Sequence, residues 1–243
     1  MEECMNEPTN APMLPPPSGV SEWFSVWRDA VTKPNEQTFA TIVASPNAKY
    51  TTAFLWVFIS SLIEFFVIFL VQSGVIRQAL QDQGLGNNLP GGGVGIILLA
   101  VLCGAPVLAI LGVVFFAIGT AIVQWIAKLF GGRGTFDQMS YALAAIATPY
   151  ALVSAVFVLL GAIPFVGLCF RIVLGLAGLY ILVLQIMAVK GVNQFGWGQA
   201  VGSLLLPGLV LACCLVVPSA IAAMRLLGPQ IGNTFSTLNN SLP

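Results

Sequence analysis

Two charged residues, Glu64 and Arg171, lie inside long apolar runs of the sequence. A charge held in hydrocarbon costs several kcal/mol, so such residues are functional candidates by default. At the rise of an α-helix, Glu64 lies roughly 12 Å and Arg171 roughly 9 Å from the same membrane face. These similar depths predict an intramembrane ion pair. The alternative is a neutral Glu64 and an Arg171 that extends alone to the membrane surface.

Residues for enzyme chemistry are scarce elsewhere. Histidine, the commonest general base and metal ligand, is absent. Glu64 is the only acid inside a predicted span, so no paired carboxylates arise. The cysteines are odd in number, lack zinc-like or CxxC spacing, and mostly fall in apolar stretches that favour simple helix packing. They are Cys4, Cys103, Cys169, Cys213 and Cys214. The sequence therefore predicts a protein that is not an enzyme and holds no cofactor or metal.

A glycine-rich loop opens the segment GGRGTFDQMSYALAAIATPY at residues 131–150. It lacks the lysine of a Walker A loop and the GxGxxG spacing of a Rossmann turn. Lys128 followed by glycines is typical of a helix end, and Thr135 or Asp137 is suited to cap the next helix. The pattern predicts a tight inner turn between two spans, with contact to a partner as the alternative. The candidates for that contact, here and in a second loop, are Gly131, Gly132, Arg133, Phe136, Phe195 and Trp197.

The composition indicates which solvent surrounds these residues. Of the 243 residues, 58% are hydrophobic and 7% are charged, whereas a typical soluble domain carries about 25% charged residues. Too few polar side chains remain to cover a soluble protein, so a lipid bilayer must surround most of the chain. The formal net charge is +0, which argues against nucleic acid as a partner.

Five apolar runs are long enough to cross a membrane as helices of roughly 20 residues. The runs cover residues 52–71, part of 95–127, 140–160, 166–189 and 200–227. The second is too long for one straight span, so Pro106 predicts a break within residues 103–107, and Pro149, Pro207 and Pro218 predict similar breaks. The predicted fold class is all-α, a polytopic membrane protein with five transmembrane helices. Small residues in spans three to five permit packing within the chain, with a second copy or with other membrane proteins.

Lysine and arginine in the loops predict the orientation. With the N-terminus in the cytoplasm, the basic residues that face inward outnumber those at the outer side. The inward set is Arg28, Lys33, Lys49, Lys128, Arg133 and Lys190, and the outward set is Arg77, Arg171 and Arg225. The N-terminus is therefore predicted inside and the C-terminus outside.

The segment before the first span has an amphipathic pattern of its own. In VSEWFSVWRDAVTKP, at residues 20–34, Trp23, Phe24 and Trp27 share one apolar stripe at helical spacing. Such aromatic residues favour the headgroup region, and Pro34 is suited to the first turn of a second helix. We predict two short interfacial helices, with docking onto the bundle or onto a soluble partner as alternatives. The predicted organisation is a disordered Pro-rich leader at 1–19, cytosolic amphipathic helices at 20–49, the membrane domain at 50–227 and a mobile outer tail at 228–243.

Three segments together resemble the Yip-domain family, five-pass membrane proteins related to proteins that interact with Ypt/Rab GTPases. After the glycine loop, Phe136, Tyr141 and Pro149 stand where the family has an aromatic residue, a tyrosine and a proline. WRDAVTKPNEQTFATI and LYILVLQIMAVKGVNQFGWGQAV resemble the segments before span one and around the start of span five. The resemblance implies an inner N-terminus, an outer C-terminus and no known catalysis.

The resemblance also bears on partners and location. Eukaryotic members bind prenylated Rab GTPases and carry an acidic-aromatic DLYGP element before span one. The chain lacks that element and resembles prokaryotic members, so GTPase binding is not expected and the plasma membrane of a prokaryote is the expected location. We expect a membrane adaptor or organiser that acts through its cytosolic face. The alternative is a small transporter or channel that uses kinked helices, Glu64 and Arg171.

Overall fold

The computed structural model of the protein describes residues 19–74, 100–161 and 167–210, with isolated positions at 78, 82, 95, 98, 163, 213, 221 and 224. Most of the predicted leader, the outer tail and most of the second half of the fifth predicted span lie outside the described residues. So do Cys4, Cys214, Pro218, Arg77 and Arg225.

Helices occupy the described residues almost throughout, and no strand is present among them. Two short helices come first, α1 Val20–Thr32 and α2 Glu36–Val43. They are followed by α3 Tyr50–Val71, a π-helical turn Ala100–Gly104, α4 Ala105–Leu129, α5 Phe136–Leu160, α6 Gly167–Asn193 and α7 Trp197–Val210. The predicted all-α class is confirmed for this part of the chain.

Four helices in the described residues are long and apolar enough to cross a membrane. They are Tyr50–Val71, Val101–Leu129, Phe136–Leu160 and Gly167–Asn193, and they correspond to the first four predicted runs. α7 lies where the fifth predicted run begins, and Trp197–Val210 is shorter than a span of roughly 20 residues. The count of five spans therefore stays a prediction.

The break that was predicted near Pro106 has a structural counterpart. Ala100–Gly104 form a π-helical turn, and Pro106 follows directly after it in α4. A Cβ at Gly104 would lie 3.1 Å from Phe69 Cζ, so the glycine lets this turn pack closely on α3. At Pro149 and Pro207, where similar breaks were predicted, α5 and α7 continue as helices, and kinks at these prolines stay a prediction.

α5 is the central helix of the described bundle, because it packs against α1, α2, α3, α4 and α6. Its first half buries a series of small side chains, Ser140, Ala142, Ala144 and Ala145. Small residues let neighbouring backbones approach closely, which favours helix association in lipid. Because α5 stands between them, α3 and α6 share little direct contact.

The apolar stripe of α1 packs on the bundle. The rings of Trp23 and Trp27 meet the ring of Trp56 edge-on, with centroids 5.9 and 5.6 Å apart. Ala30, one turn further along, is fully buried. Trp23 and Trp27 therefore dock onto the bundle, which was the alternative to an interfacial position, whereas Phe24 is 60% exposed. An interfacial position of α1 in a bilayer stays a prediction.

The end of α1 is fixed by one hydrogen bond to a span. The Tyr180 hydroxyl of α6 donates to the Val31 carbonyl over 2.6 Å, which satisfies one of the carbonyls that a helix end leaves without a partner. On the exposed side, Asp29 accepts from Lys33 and Arg28, and the hydrogen bond from Lys33 lowers the pKa of Asp29. Because these charges are paired, the solvent-facing side of α1 carries no strong net charge.

α2 begins slightly later than the sequence indicated. Asn35 caps it, since its side-chain oxygen accepts from Gln37 N over 3.2 Å, and Pro34 precedes the cap instead of occupying the first turn. Phe39 and Val43 are buried. α2 therefore closes one side of the bundle, against α5 and α6.

Candidate functional site at the inner end

The predicted inner end of the bundle consists of α2, the loop 130–135 and the loop 194–196; we call it the inner end throughout. In the first loop α4 ends at Leu129, and Gly131 takes a left-handed conformation with φ of +86°. Thr135 then caps α5: its hydroxyl accepts from Gln138 N, while the Gln138 side chain accepts from Thr135 N. The glycine at the helix end and the cap at Thr135 were both predicted. Asp137 lies in the first turn of α5 instead of at its cap.

A buried network around Asn193 ties this loop to the end of α6. The Asn193 side-chain oxygen accepts from Gly134 N and from Gln124 Nε2, each over 3.2 Å. Its amide nitrogen donates to Val189 O over 3.1 Å, and Gln124 Nε2 also reaches Gly134 O at 2.6 Å. Asn193 is fully buried. This set, the Asn193 network, fixes the loop between α4 and α5 against α6.

The glycines of the inner end are required by close packing. A Cβ at Gly132 would lie 2.5 Å from Asn193 Oδ1, and one at Gly134 would lie 2.6 Å from Val192 Cγ1. A Cβ at Gly191 would collide with the Glu36 carbonyl of α2. The geometry therefore favours the tight-turn interpretation for Gly132, one of the predicted contact residues.

The other predicted contact residues divide into two groups. Phe136 packs against Phe54 at 6.3 Å between ring centroids, and Phe195 lies against the core. Arg133 is exposed, and Trp197 is 50% exposed. Gly131 is exposed as well, but it serves the turn. Arg133 and Trp197 are therefore the predicted side chains that remain free to meet a partner.

Lys190 holds Trp197 in place beside α2. Its ammonium lies 4.6 Å from the centre of the Trp197 ring and pairs with the Glu36 carboxylate. A cation over an indole face is attracted by the ring quadrupole, so the ring is held by an electrostatic contact. Gln194, between these residues, is exposed with φ of +54°. This left-handed conformation turns the chain sharply from α6 towards α7.

Two adjoining cavities form a groove between α2 and the end of α6. Their volumes are about 360 Å³ and about 240 Å³, and both are lined by Ala40, Gly191 and Gln194. The first also contacts Gln37 and Phe195, and the second Arg133 and Gln138. This surface, the inner groove, offers amide and guanidinium groups that donate hydrogen bonds.

The intramembrane charges do not meet. The Glu64 carboxylate accepts a hydrogen bond from Ser154 of α5 over 2.7 Å, and Arg171 belongs to none of the ion pairs among the described residues. The predicted pair is wrong, because equal depth does not place two helices side by side: α5 lies between α3 and α6. Arg171 is exposed near the start of α6, at the end of the bundle opposite the inner end, which we call the outer end.

The cysteines and the acids form no metal site in the part of the chain that the structure describes. Cys103, Cys169 and Cys213 are free and lie exposed on the bundle surface, although packing between helices was predicted. Asn193 and Tyr180 were not among the predicted site residues. The signal for Asn193 was present, since two amides, Asn193 and Gln194, follow the long apolar run of α6, and an amide that is buried there needs partners.

Comparison with known families decides the relationship. Residues 28–218 match the family model of the Yip1 domain. The chain belongs to the Yip1 family. Together with the four long apolar helices, the match identifies a Yip1 membrane protein. Comparisons with curated proteins and with solved structures give no match.

Proposed function

We propose that this Yip1 protein is a non-enzymatic membrane adaptor whose inner end binds a partner. One observation carries the proposal: an exposed guanidinium, Arg133, lines the inner groove, and an exposed indole, Trp197, is held beside the groove by Lys190, at a loop fixed by the Asn193 network. Tryptophan and arginine are enriched among residues that dominate binding energy. A fixed backbone lowers the entropy lost on binding.

The proposal includes an orientation and a location. The N-terminus and the inner groove face the cytoplasm, the C-terminus lies outside, and the membrane is the plasma membrane of a prokaryote. The excess of basic residues on the inner side supports this orientation. In intact cells, a membrane-impermeant thiol reagent should miss a cysteine at Thr135 and label one at Asn239. Labelling at Thr135 before lysis would contradict the orientation.

The partner is another membrane protein or a second copy of this chain, and GTPase binding is not proposed. Crosslinking in native membranes, followed by identification of captured proteins, tests the surface. Trp197→Ala and Arg133→Ala should each reduce capture of the same partner at least about threefold. This is a cautious expectation, because loss of a dominant interface residue commonly costs more binding free energy than a threefold change represents. Their thermal midpoints in detergent should stay close to that of the wild type.

Trp125→Ala is the matched control, because Trp125 lies on α4 near the same end and is 64% exposed. If Trp197 merely anchors the bundle at the headgroups, both tryptophan variants will lose stability and keep the partner. That result would contradict the adaptor function. Solute flux through liposomes that contain only the purified protein would also overturn it and favour the transporter.

A further inference from the structure

A cavity larger than either cavity of the inner groove lies at the opposite end of the bundle. It is formed where α3 and α5 end and α6 begins, and its volume is about 540 Å³. Ile68, Phe157, Phe170 and Leu174 contribute apolar walls, and Gln72 and Arg171 contribute polar groups. We call it the outer cavity. It combines one cation with hydrocarbon walls, and neither the family nor the inner groove accounts for it.

The Arg171 charge has no counter-charge in the described residues. Glu64 accepts from Ser154, and Arg171 takes part in none of the described ion pairs. The sequence contains no Asp or Glu after Asp137, and Asp82 is the only acid between Glu64 and Asp137. A cation near hydrocarbon is costly unless an anion compensates it. An anion from outside the chain therefore fits this position.

The walls of the cavity indicate what kind of anion it is. A small inorganic ion gains nothing from four apolar side chains, whereas a phospholipid brings hydrocarbon together with its charge. Arginine matches the two oxygens of a phosphate with two parallel N–H donors, and the Gln72 amide adds a further donor. Arg171 lies about 6 Å along α6 from its start, which places the guanidinium near headgroup depth.

We propose that the outer cavity binds one phospholipid molecule, with its phosphate on Arg171 and the beginning of an acyl chain against Phe157, Phe170 and Leu174. The site is separate from the inner groove, so its failure would leave the adaptor function untouched. It also differs from a general attraction of arginine to headgroups, because it predicts a fixed stoichiometry of one lipid.

The test uses the full chain, purified in detergent and depleted of lipid. Phosphatidylglycerol or inorganic phosphate is then added, and lipid retention is measured by native mass spectrometry and stability by the thermal midpoint. The wild type should retain one phosphatidylglycerol and should show a midpoint that rises with lipid concentration, as linkage requires. Arg171→Met should weaken retention at least about tenfold, or 1.4 kcal/mol, and Arg133→Met, at the inner end, should not.

Equal retention by the wild type and Arg171→Met would overturn the proposal. The same rise in midpoint with inorganic phosphate as with lipid would also overturn it, since a free anion would then suffice. If Arg171→Met does not fold, Gln72→Leu provides the second measurement, and unchanged retention in that variant would count against the site.

Discussion

The two ends of the bundle differ in how their polar side chains are paired. At the inner end, buried amides pair with one another and with backbone: Asn193 and Gln124 meet Gly134 at hydrogen-bond distance. At the outer end, Gln72 and Arg171 are exposed around a cavity and pair with no described side chain. The difference teaches that the inner end is held in a fixed geometry by its own side chains, whereas at the outer end the described polar side chains have no such partners, and there we propose a bound lipid.

Removal of the Asn193 amide should have the largest effect on the free energy of unfolding. Asn193→Leu keeps the size of the side chain but leaves the Gly134 N–H without its partner in a buried place. Because each unpaired buried polar group costs about 1–3 kcal/mol, the free energy of unfolding should fall by about 2–5 kcal/mol. Denaturant titration in lipid-depleted detergent measures it.

Gln72→Leu is the matched amide variant at the outer end. It should change the free energy of unfolding by no more than about 0.5 kcal/mol in the absence of lipid, as is usual for exposed positions. Equal losses from the two variants would show that the ends do not differ in the proposed way.

A smaller effect should follow from a single methyl group. Gly134→Ala places a Cβ against Val192 and Asn193, and such overpacking costs about 1–3 kcal/mol. In Gly175→Ala the new methyl meets nothing within 4 Å, and the better helix propensity of alanine should stabilise α6 by up to about 1 kcal/mol. The two thermal midpoints should therefore shift in opposite directions, and a shift in the same direction would contradict the packing argument.

A local effect concerns the hydrogen bond that holds the end of α1. Tyr180→Phe removes the donor to the Val31 carbonyl and should cost about 0.5–1.5 kcal/mol. Hydrogen exchange measured by mass spectrometry should accelerate in α1 and stay unchanged in α5. Tyr150→Phe is the control, since no hydrogen bond of its hydroxyl is present among the described residues. Unchanged exchange in α1 would mean that the tryptophan contacts alone hold it.

Features encoded by neighbouring residues could be predicted from the sequence. The end of α4 at a glycine and the Thr135 cap depend on residues within one turn, so local preference decides them. The four long helices follow from apolar length alone. Membership in the Yip family was also predictable, because order and spacing of several segments carry it.

Features that depend on the angular arrangement of helices could not be predicted in the same way. Glu64 and Arg171 share a depth, but a sequence does not say which faces of α3 and α6 turn towards each other. The partner of Glu64 is Ser154 because α5 occupies the space between those helices. Asn193 likewise accepts a hydrogen bond from Gln124, which lies 69 positions earlier in the chain. No short-range sequence pattern predicts such a contact.

The π-helical turn at Ala100–Gly104 changes which residues of the second span share a helix face. A π turn accommodates one residue more than an α turn over the same stretch, so it acts as an insertion within a continuous apolar run. One residue corresponds to about 100° of rotation and 1.5 Å of rise. A face assigned on α4 therefore does not continue unchanged through this turn to Ala100. Deletion of Leu102 should restore regular α-helical hydrogen bonding over this stretch.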